Sequence, residues 1–289
     1  MGVYKGKSMS VSQKITWTVV SILFGIVAAS YTFVLIWGFV SGTKTGTEFG
    51  TMKNPFELPK EWHFENYIRA FSAFQFDSVN LLGMTFNSLW YSVGGALICT
   101  TCQMGLAYVT AKYKFRGSGL IYMVCMITMI MPIYGSTGAM YRLVYGLGLN
   151  DSFGMLLTSA TGIGTGFLMF YAFFQNLSWT YAEAALIDGA NHFTIFWRIM
   201  FPQCIGLFGS LVLMQWLAGW NDYQGPIMYL NEMPTIAVGL YRFKEYMGGQ
   251  GDMSLYVAAS MLSCIPALIL FTAFSNTLLK NMSLGGLKE

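Results

Sequence analysis

Charged residues are scarce in this sequence. Lys, Arg, Asp and Glu make up only 10% of the 289 residues, whereas about 25% is usual in a soluble protein. Apolar residues make up 55%, and the mean hydropathy is +0.51. These values exclude an ordinary soluble domain and indicate a membrane protein.

The sequence also lacks the motifs of common catalytic sites. It contains no Gly-x-x-x-x-Gly-Lys-[Ser/Thr], no His-Glu-x-x-His and no Gly-x-Ser-x-Gly, so it has no P-loop for ATP. Its long apolar runs contain no Asp, Glu, Lys or Arg, although ion-driven carriers usually place such costly groups inside their spans. We therefore predict no enzymatic activity, and an active transporter with this sequence must take its energy from another subunit.

Cysteine and histidine are too few and too dispersed to predict a metal site. The five cysteines lie inside or at the edge of apolar runs. Cys99 and Cys102 have the spacing of a redox or metal pair, but within a span they are better explained as small packing residues. His63 and His192 are predicted on opposite sides of the membrane. No metal and no cofactor is predicted in this chain.

What the sequence does contain is long uncharged runs. They cover residues 15–43, 78–111, 117–141, 152–182, 199–221 and 253–279. Each exceeds the roughly 20 residues that a membrane-crossing helix needs. The sequence therefore predicts an all-α, polytopic fold with six transmembrane helices at about 15–40, 84–110, 118–136, 154–176, 204–221 and 253–279. The first run is longer than the core of a cleaved signal peptide, so residues 1–14 are expected to be a retained lead before a permease domain at 15–289.

The basic residues predict the orientation of the chain. With six spans, both termini lie on the same side as the short loop 112–116 and the segment 177–203. That side is rich in basic residues and poor in acidic ones, whereas the other side has more acids than bases. Basic residues favour the cytoplasmic side, so both termini are predicted to be cytoplasmic. The net charge of +3 comes from this asymmetry and does not indicate binding to nucleic acid.

The segment between the fourth and fifth runs is built like a soluble docking element. Residues 183–202 read EAALIDGANHFTIFWRIMFP. Thr180 and Glu183 have the spacing of a capping box, which predicts the start of a helix. This helix is expected to end at Gly189, whose missing Cβ permits a sharp turn.

A second short helix is predicted after this turn. Asn191 is suited to cap it, and Pro202 is expected to mark the start of the next span. One face of this helix is apolar and consists of Phe193, Phe196, Ile199 and Met200. Because no lipid is available to cover it there, the face is predicted to dock into another protein.

These residues also resemble the EAA loop of ABC-importer permeases. The resemblance rests on Glu183-Ala184-Ala185, on Gly189 six residues after the Glu, on Ile199 ten further on and on Pro202 three after that. The neighbouring IDGA and FWRIMFP stretches are similar to the carbohydrate-uptake, maltose-type branch. Weaker similarities are Asn87-Ser88 in span 2, Trp220-Asn221-Asp222 at the end of span 5, and Gly285-Gly286-Leu287-Lys288 near the C-terminus.

The resemblance implies the permease fold of a type I ABC importer in a bacterial inner membrane. It implies five kinds of partner: a second homologous permease, an ABC ATPase dimer, an extracytoplasmic solute-binding protein, membrane lipid and a sugar substrate. ATP and Mg²⁺ would bind in the ATPase. The residues that it implies for coupling to the ATPase are Glu183, Ala184, Ala185, Asp188, Gly189, Phe193, Phe196, Ile199 and Pro202.

The translocation path is the least defined part of the prediction. Sugar recognition uses aromatic faces and neutral hydrogen-bonding groups, which are supplied by Asn87, Trp90, Tyr91, Gln103, Gln215, Trp216, Trp220 and Asn221. The same residues fit interfacial aromatic belts or hydrogen bonds between helices. In the maltose-type family, the companion permease can hold most of the sugar site.

Two external segments have alternative explanations. Trp62, Phe64, Tyr67, Phe71 and Phe74 recur at near-helical spacing, which fits an amphipathic helix on the membrane surface or a docking surface. The resemblance implies that the loop before span 6 approaches the binding protein, with Gly248, Gly249, Gln250 and Gly251 as its tip. A plain loop explains those residues equally well.

Other functions are compatible with parts of the pattern. The EAA loop alone allows an ABC permease for a polyamine, phosphate or amino acid. The absence of charged residues in the spans is also compatible with passive conduction by an ATPase-independent facilitator. The C-terminal tail resembles one that reaches the ATPase, but it ends in Glu289, where the family usually has Gly, so no regulatory role is predicted for it.

Overall fold

The computed structural model describes residues 10–51, 56–76, 78–113, 115–131, 135–246 and 252–283, and they are mainly helical, as predicted. The chain divides into two compact units. One consists of Met1–Ala73 and Met247–Leu262, and the other of Phe74–Tyr246 and Ser263–Glu289. The predicted binding-protein contact at 248–251 and the tail at 284–289 lie outside the described residues.

The first unit is built around a long apolar helix. Its helices are α1 (Val11–Ser41), α2 (Gly46–Thr51), α3 (Glu65–Ala73) and the beginning of α13 (Met253–Ser283), which continues into the second unit. α1 begins with a capping box, in which the Gln13 N–H donates to Ser10 Oγ (3.3 Å) and the Ser10 N–H donates to Gln13 Oε1 (3.0 Å). These bonds satisfy two donors that a helix start otherwise leaves unpaired.

Buried polar contacts fix the chain after α1. The side-chain amide of Asn66 donates to the carbonyls of Gly42 (3.1 Å) and Lys44 (2.9 Å). Lys44 is itself buried, and this burial lowers the pKa of its amine. The hydroxyl of Tyr67 donates to the carbonyl of Phe39 at 2.7 Å. The polar bonds let this loop fold back on the end of α1.

The predicted aromatic helix in this region is shorter than its spacing indicated. α3 begins at Glu65, so Trp62 and Phe64 lie before it, with their rings stacked at 5.8 Å. Phe71 lies on the helix, and Phe74 lies beyond its end. Neither membrane contact nor docking of this stretch is tested by the geometry.

The second unit is built around the 32-residue helix α4 (Leu81–Lys112). It is preceded by an antiparallel hairpin of two short strands, β1 (Gln75–Phe76) and β2 (Val79–Asn80), in which Gln75 pairs with Asn80. The remaining helices are α5 (Ser118–Ile130), α6 (Thr137–Gly146), a 3₁₀ helix (Phe153–Ser159), α7 (Thr165–Asn176), α8 (Thr180–Ile187), α9 (His192–Ile195), a π-helical turn (Phe196–Met200), α10 (Phe201–Asn221), α11 (Gln224–Tyr229), α12 (Ile236–Tyr246) and the rest of α13.

The core of this unit lies where α7 and α10 pack on α4. Phe167, Phe170 and Phe174 recur along one face of α7 and are fully buried. They belong to one cluster with Met104 and Tyr108 of α4. In lipid, such helix pairs associate through close van der Waals packing, so these rings position α7 on α4.

Four helices in the described part of the chain are long and apolar enough to cross a membrane. They are Val11–Ser41, Leu81–Lys112, His192–Asn221 and Met253–Phe274. The apolar helix α5 is shorter, and Pro132 beyond it lies outside the described residues. The count of six spans and the cytoplasmic position of the termini stay predictions.

The predicted continuous helix at 154–176 is wrong. The 3₁₀ helix ends at Ser159, and α7 begins only at Thr165. Between them, the Thr161 side chain bonds the N–H (3.3 Å) and carbonyl (3.0 Å) of Ile163. A local side-chain turn of this kind competes with helix, and Gly162 and Gly164 weaken helix further.

Two glycines near the start of α7, Gly162 before the helix and Gly166 within it, lie close to α4. A Cβ at Gly162 would lie 2.8 Å from the Leu106 side chain, and one at Gly166 would collide with Gln103. Both glycines therefore let the start of α7 approach α4.

Pro202 lies in the first turn of α10, but it does not start a separate helix, because the helix is continuous from His192 to Asn221. Its place at the membrane entry of span 5 stays a prediction. Proline removes a hydrogen-bond donor and crowds the preceding turn. The chain accommodates it by widening that turn, so that the Phe201 N–H donates to the carbonyl of Phe196. The side-chain amide of Gln203 donates to the carbonyl of Ile199 at 3.0 Å, which satisfies a carbonyl within the widened turn.

Candidate functional site

The coupling segment, residues 177–203, folds as helix, turn and helix. α8 begins after Trp179, so the predicted capping box of Thr180 and Glu183 is wrong. Thr180 already lies inside the first turn, where its N–H donates to Ser178 Oγ at 3.3 Å. This bond lies just before the helix, and no side chain caps α8 at Trp179.

The turn and the second cap are confirmed. Gly189 follows α8 with φ +82°, a left-handed conformation that glycine adopts easily. A Cβ built on Gly189 would meet nothing within 4 Å. Asn191 Oδ1 accepts the Thr194 N–H at 2.8 Å and caps α9. Glycine is therefore favoured by the backbone conformation of the turn and not by lack of space.

The predicted apolar face of the second helix is divided by the fold. Phe193 is 73% exposed, but Met200 is fully buried. The Phe196 ring lies 4.8 Å from Tyr108, and Ile199 packs against the core. Ile195, which the prediction omitted, is fully buried. At about 100° per residue, it lies about 200° around the helix from Phe193, so Ile195 faces the core and Phe193 faces outward.

A different set of apolar residues is exposed on this segment. They are Tyr181, Leu186, Ile187, Phe193 and Trp197, with Ile187 87% exposed. Of the other predicted coupling residues, Glu183, Ala184, Asp188 and Pro202 are exposed, and Ala185 is half-buried. The exposed apolar set surrounds the Gly189 turn, and we call it the outer apolar patch.

The end of α4 holds the coupling segment at two points. Lys112 Nζ donates to the carbonyl of Leu177 at 2.5 Å and lies 5.9 Å from the ring of Trp179. The hydroxyl of Tyr113 is 2.9 Å from His192 Nδ1. These contacts attach the beginning of each helix of the segment to the end of α4.

A cavity of about 490 Å³ lies along α4 and α10, away from the coupling segment. Three of the residues predicted for the translocation path line it: Tyr91, Gln215 and Asn221. The Tyr91 hydroxyl donates to Asp222 Oδ2 at 3.0 Å. The other oxygen of Asp222 accepts the N–H groups of Gln224 (3.0 Å) and Gly225 (3.2 Å).

Four of the predicted path residues, and the neighbouring Trp90, do not line this cavity. Asn87 donates to the carbonyl of Pro234 at 3.1 Å and accepts a weak bond from Trp90. The indole of Trp220 donates to the carbonyl of Ser263 at 3.2 Å. Trp216 and Gln103 are buried. Asn87 and Trp220 thus bond within the helix bundle, whereas a place for any of these residues on the translocation path stays a prediction.

Sequence reasoning missed several polar residues of the cavity. They are Ser159, Thr161, Asp222, Tyr223 and Gln224. Asp222 was noticed only as part of the Trp220-Asn221-Asp222 run. Tyr223 and Gln224 directly follow this run, and extending the polar stretch past the end of the predicted span would have found them.

The family described as binding-protein-dependent transport system inner membrane component matches residues 103–283, which is more than half of the chain. The chain belongs to this family. It is therefore a permease of an ABC importer, a multi-pass protein of the inner membrane, and a transport subunit rather than an enzyme.

Individual relatives are similar in sequence to this chain over most of its length. A diacetylchitobiose uptake system permease of Streptomyces coelicolor is 25% identical over 87% of this chain and 82% of its own length. An arabinooligosaccharides transport system permease of Bacillus subtilis is 27% identical over 80% of each. A probable starch degradation products permease of Thermoanaerobacterium thermosulfurigenes is 25% identical over 96% of this chain and 98% of its own length.

A solved structure confirms the fold. One chain of a bacterial ABC transporter involved in import of the acidic polysaccharide alginate superposes with a TM-score of 0.78. The match covers 94% of this chain and 99% of the other, at 22% sequence identity. The predicted importer permease fold is thus confirmed.

Proposed function

We propose that this chain is one of two homologous permease subunits in an ATP-driven importer for a sugar or oligosaccharide. The saccharide cargo is supported by the names of relatives that transport diacetylchitobiose, arabinooligosaccharides and starch degradation products. Its further partners are an ATPase dimer and an extracytoplasmic binding protein. ATP and Mg²⁺ bind in the ATPase, because this chain contains no P-loop.

The outer apolar patch carries the proposal. Ile187 and Phe193 lie on either side of the Gly189 turn and are the most exposed apolar residues there. Burying each in a cleft of the ATPase contributes roughly 1.5–3 kcal/mol. A patch of this kind on a segment outside the apolar spans is typical of a protein interface.

The helix after the turn gives a route from the ATPase to the cavity. His192–Asn221 is one continuous helix of 30 residues, which is about 45 Å long at 1.5 Å per residue. It begins at the outer apolar patch and ends at Asn221, which lines the cavity. When the ATPase closes on ATP and displaces the segment, this helix transmits the movement and opens the pathway outward.

Co-purification tests the proposed assembly. The tagged wild-type chain, extracted from its native membrane in mild detergent, is expected to bring down a P-loop ATPase and a second polytopic subunit. The double variant Ile187→Ser, Phe193→Ser is expected to lose the ATPase but keep the second permease, because both side chains are exposed near the Gly189 turn and neither belongs to the hydrophobic core cluster. Mass spectrometry of the purified material identifies the subunits.

A matched control removes apolar area elsewhere. Leu120→Ser, Met123→Ser changes two exposed residues of the apolar helix α5 and is expected to leave the ATPase bound. Purification of the wild-type chain as a homo-oligomer without an ATPase would contradict the proposal and favour an ATPase-independent facilitator.

The contact between Lys112 and Leu177 yields a further prediction. In Lys112→Met the bond to the Leu177 carbonyl is lost, although the aliphatic stem can still pack on Trp179. The assembly is expected to form, but the ratio of sugar transported to ATP hydrolysed should fall severalfold, because a charged hydrogen bond is worth about 1.5–3 kcal/mol. Uptake and ATPase rates in proteoliposomes give this ratio, and Lys14→Met, at the exposed start of α1, should leave it unchanged.

A further inference from the structure

We propose that the cavity along α4 and α10 is a saccharide subsite of this chain, selective for neutral over acidic sugars, in which Tyr223 is the stacking platform. This inference rests on the proposed function and deepens it. It assigns part of the sugar recognition to this permease rather than to its companion.

The size and lining of the cavity suit a sugar. Its volume of about 490 Å³ lies within the roughly 300–1,000 Å³ of small-molecule sites. The lining is rich in neutral groups that both donate and accept hydrogen bonds, namely Ser159, Thr161, Gln215, Asn221 and Gln224. Within the described part of the chain, the side-chain amides of Gln215 and Gln224 form no hydrogen bond, so they are available to sugar hydroxyls.

The charge of the cavity determines the class of sugar. Among the described residues that line the cavity, Asp222 is the one charged residue, and none is Lys or Arg. A sugar hydroxyl can donate to this carboxylate, whereas a uronate would meet a like charge with no cation in that lining. The alginate importer shares the fold, but this cavity has the wrong charge for an acidic polysaccharide.

An aromatic ring at the cavity is held in a defined position. The rings of Tyr223 and Tyr241 stack with centroids 4.6 Å apart and an interplanar angle of 16°. Tyr223 lines the cavity and is 36% exposed. The C–H faces of neutral pyranose and furanose rings pack on such aromatic surfaces. Because Tyr241 covers one face of the Tyr223 ring and holds it in place, the other face is the preformed platform on which a sugar ring can pack.

Gly225 keeps the polar side of the cavity in place. A Cβ at Gly225 would lie 2.8 Å from Asp222 Oδ2 and 3.0 Å from the Tyr91 hydroxyl. The missing side chain therefore leaves room for the Tyr91–Asp222 hydrogen bond. That bond orients the Asp222 carboxylate at the cavity and restricts its rotation.

The test measures direct binding to the assembled transporter without the binding protein, whose own selectivity would otherwise dominate. The nucleotide-free complex in nanodiscs is examined by saturation-transfer NMR with maltotriose, arabinotriose and diacetylchitobiose as neutral probes and with a mannuronate trisaccharide as the acidic probe. At least one neutral probe is expected to give a signal, and the mannuronate probe none.

Two variants, each with a control, test whether the probes bind in this cavity. Tyr223→Leu is expected to weaken the neutral signal about tenfold, since a well-placed aromatic contact is worth up to about that factor. Tyr223→Phe keeps the ring and should retain the signal. Gln215→Leu, which keeps the volume but not the amide, should also weaken it. The control Tyr141→Leu removes an exposed ring that packs on Tyr145 outside the cavity and should have no effect.

A second readout separates this inference from the proposed function. Stimulation of ATP hydrolysis by the binding protein reports the importer assembly and should persist in all four variants. If stimulation is absent in the wild type, the proposed function fails. If stimulation is present, any one of three results overturns the saccharide subsite. No neutral probe binds, or the mannuronate probe binds as well as the neutral ones. The third is that neither Tyr223→Leu nor Gln215→Leu weakens the signal.

Discussion

Gly189→Val is expected to reduce ATP-driven uptake by roughly ten- to a hundredfold while leaving the chain in the membrane. Gly189 has φ +82°, and a β-branched residue in that conformation is strained by roughly 1–2 kcal/mol or more. The turn relieves this strain by moving, and Ile187 and Phe193 then lose their relative positions. Insertion should be normal because the turn lies outside the apolar spans.

Gly189→Asn is the matched control. Asparagine adopts the left-handed conformation more readily than other residues, and nothing lies within 4 Å of a Cβ at this position. Its side chain therefore fits, and most of the uptake should remain. Radiolabelled sugar uptake in proteoliposomes measures both variants against equal amounts of inserted protein. Equal uptake by the valine and asparagine variants would show that the turn does not couple the subunits.

The coupling segment was the part of the chain best predicted from sequence. Gly189 and Asn191 act through their own backbone conformation or through a neighbour three residues away, so local spacing suffices to find them. The helix start was misplaced by one residue, because α8 begins after Trp179 without a side-chain cap although Ser178 and Thr180 both offer a hydroxyl acceptor close by. Sequence spacing alone does not decide between two acceptors so close together.

The direction of each apolar side chain was less predictable. Phe193 and Phe196 both fit an apolar face, but only Phe196 meets Tyr108. That contact joins residues 88 positions apart in the chain and depends on how α10 lies on α4. Similarly, the interruption before α7 depends on Thr161 bonding to Ile163, which the long uncharged run concealed.

The cavity could be predicted only in part. Tyr91, Gln215 and Asn221 were selected for their chemistry, and they line it, but Trp220 and Asn87 have the same chemistry and bond elsewhere. Composition identifies residues that are able to bind sugar. Only the packing of α4 on α10 decides which of them face a cavity.

Gly219→Leu is expected to destabilise the packing of α10 on α4. A Cβ at Gly219 would lie 3.2 Å from the Cα and 3.3 Å from the Cβ of Ser92. These neighbours belong to the α4 backbone and its first side-chain atom, so they cannot rotate away. The helices must separate, at a cost of about 1–3 kcal/mol.

Heating in detergent followed by fluorescence-detected size exclusion measures this loss, and a fall in midpoint of roughly 3–10 °C is expected. Gly209→Leu is the control on the same helix, since a Cβ there meets nothing within 4 Å and leucine favours helix over glycine by about 1 kcal/mol. Its midpoint should stay or rise. An equal fall in both variants would attribute the loss to leucine itself. A selective fall at Gly219 would show that the close approach of α4 and α10 is needed for stability. Because Ser92 and Gly219 both line the cavity, the same contact then fixes the width of the proposed sugar subsite.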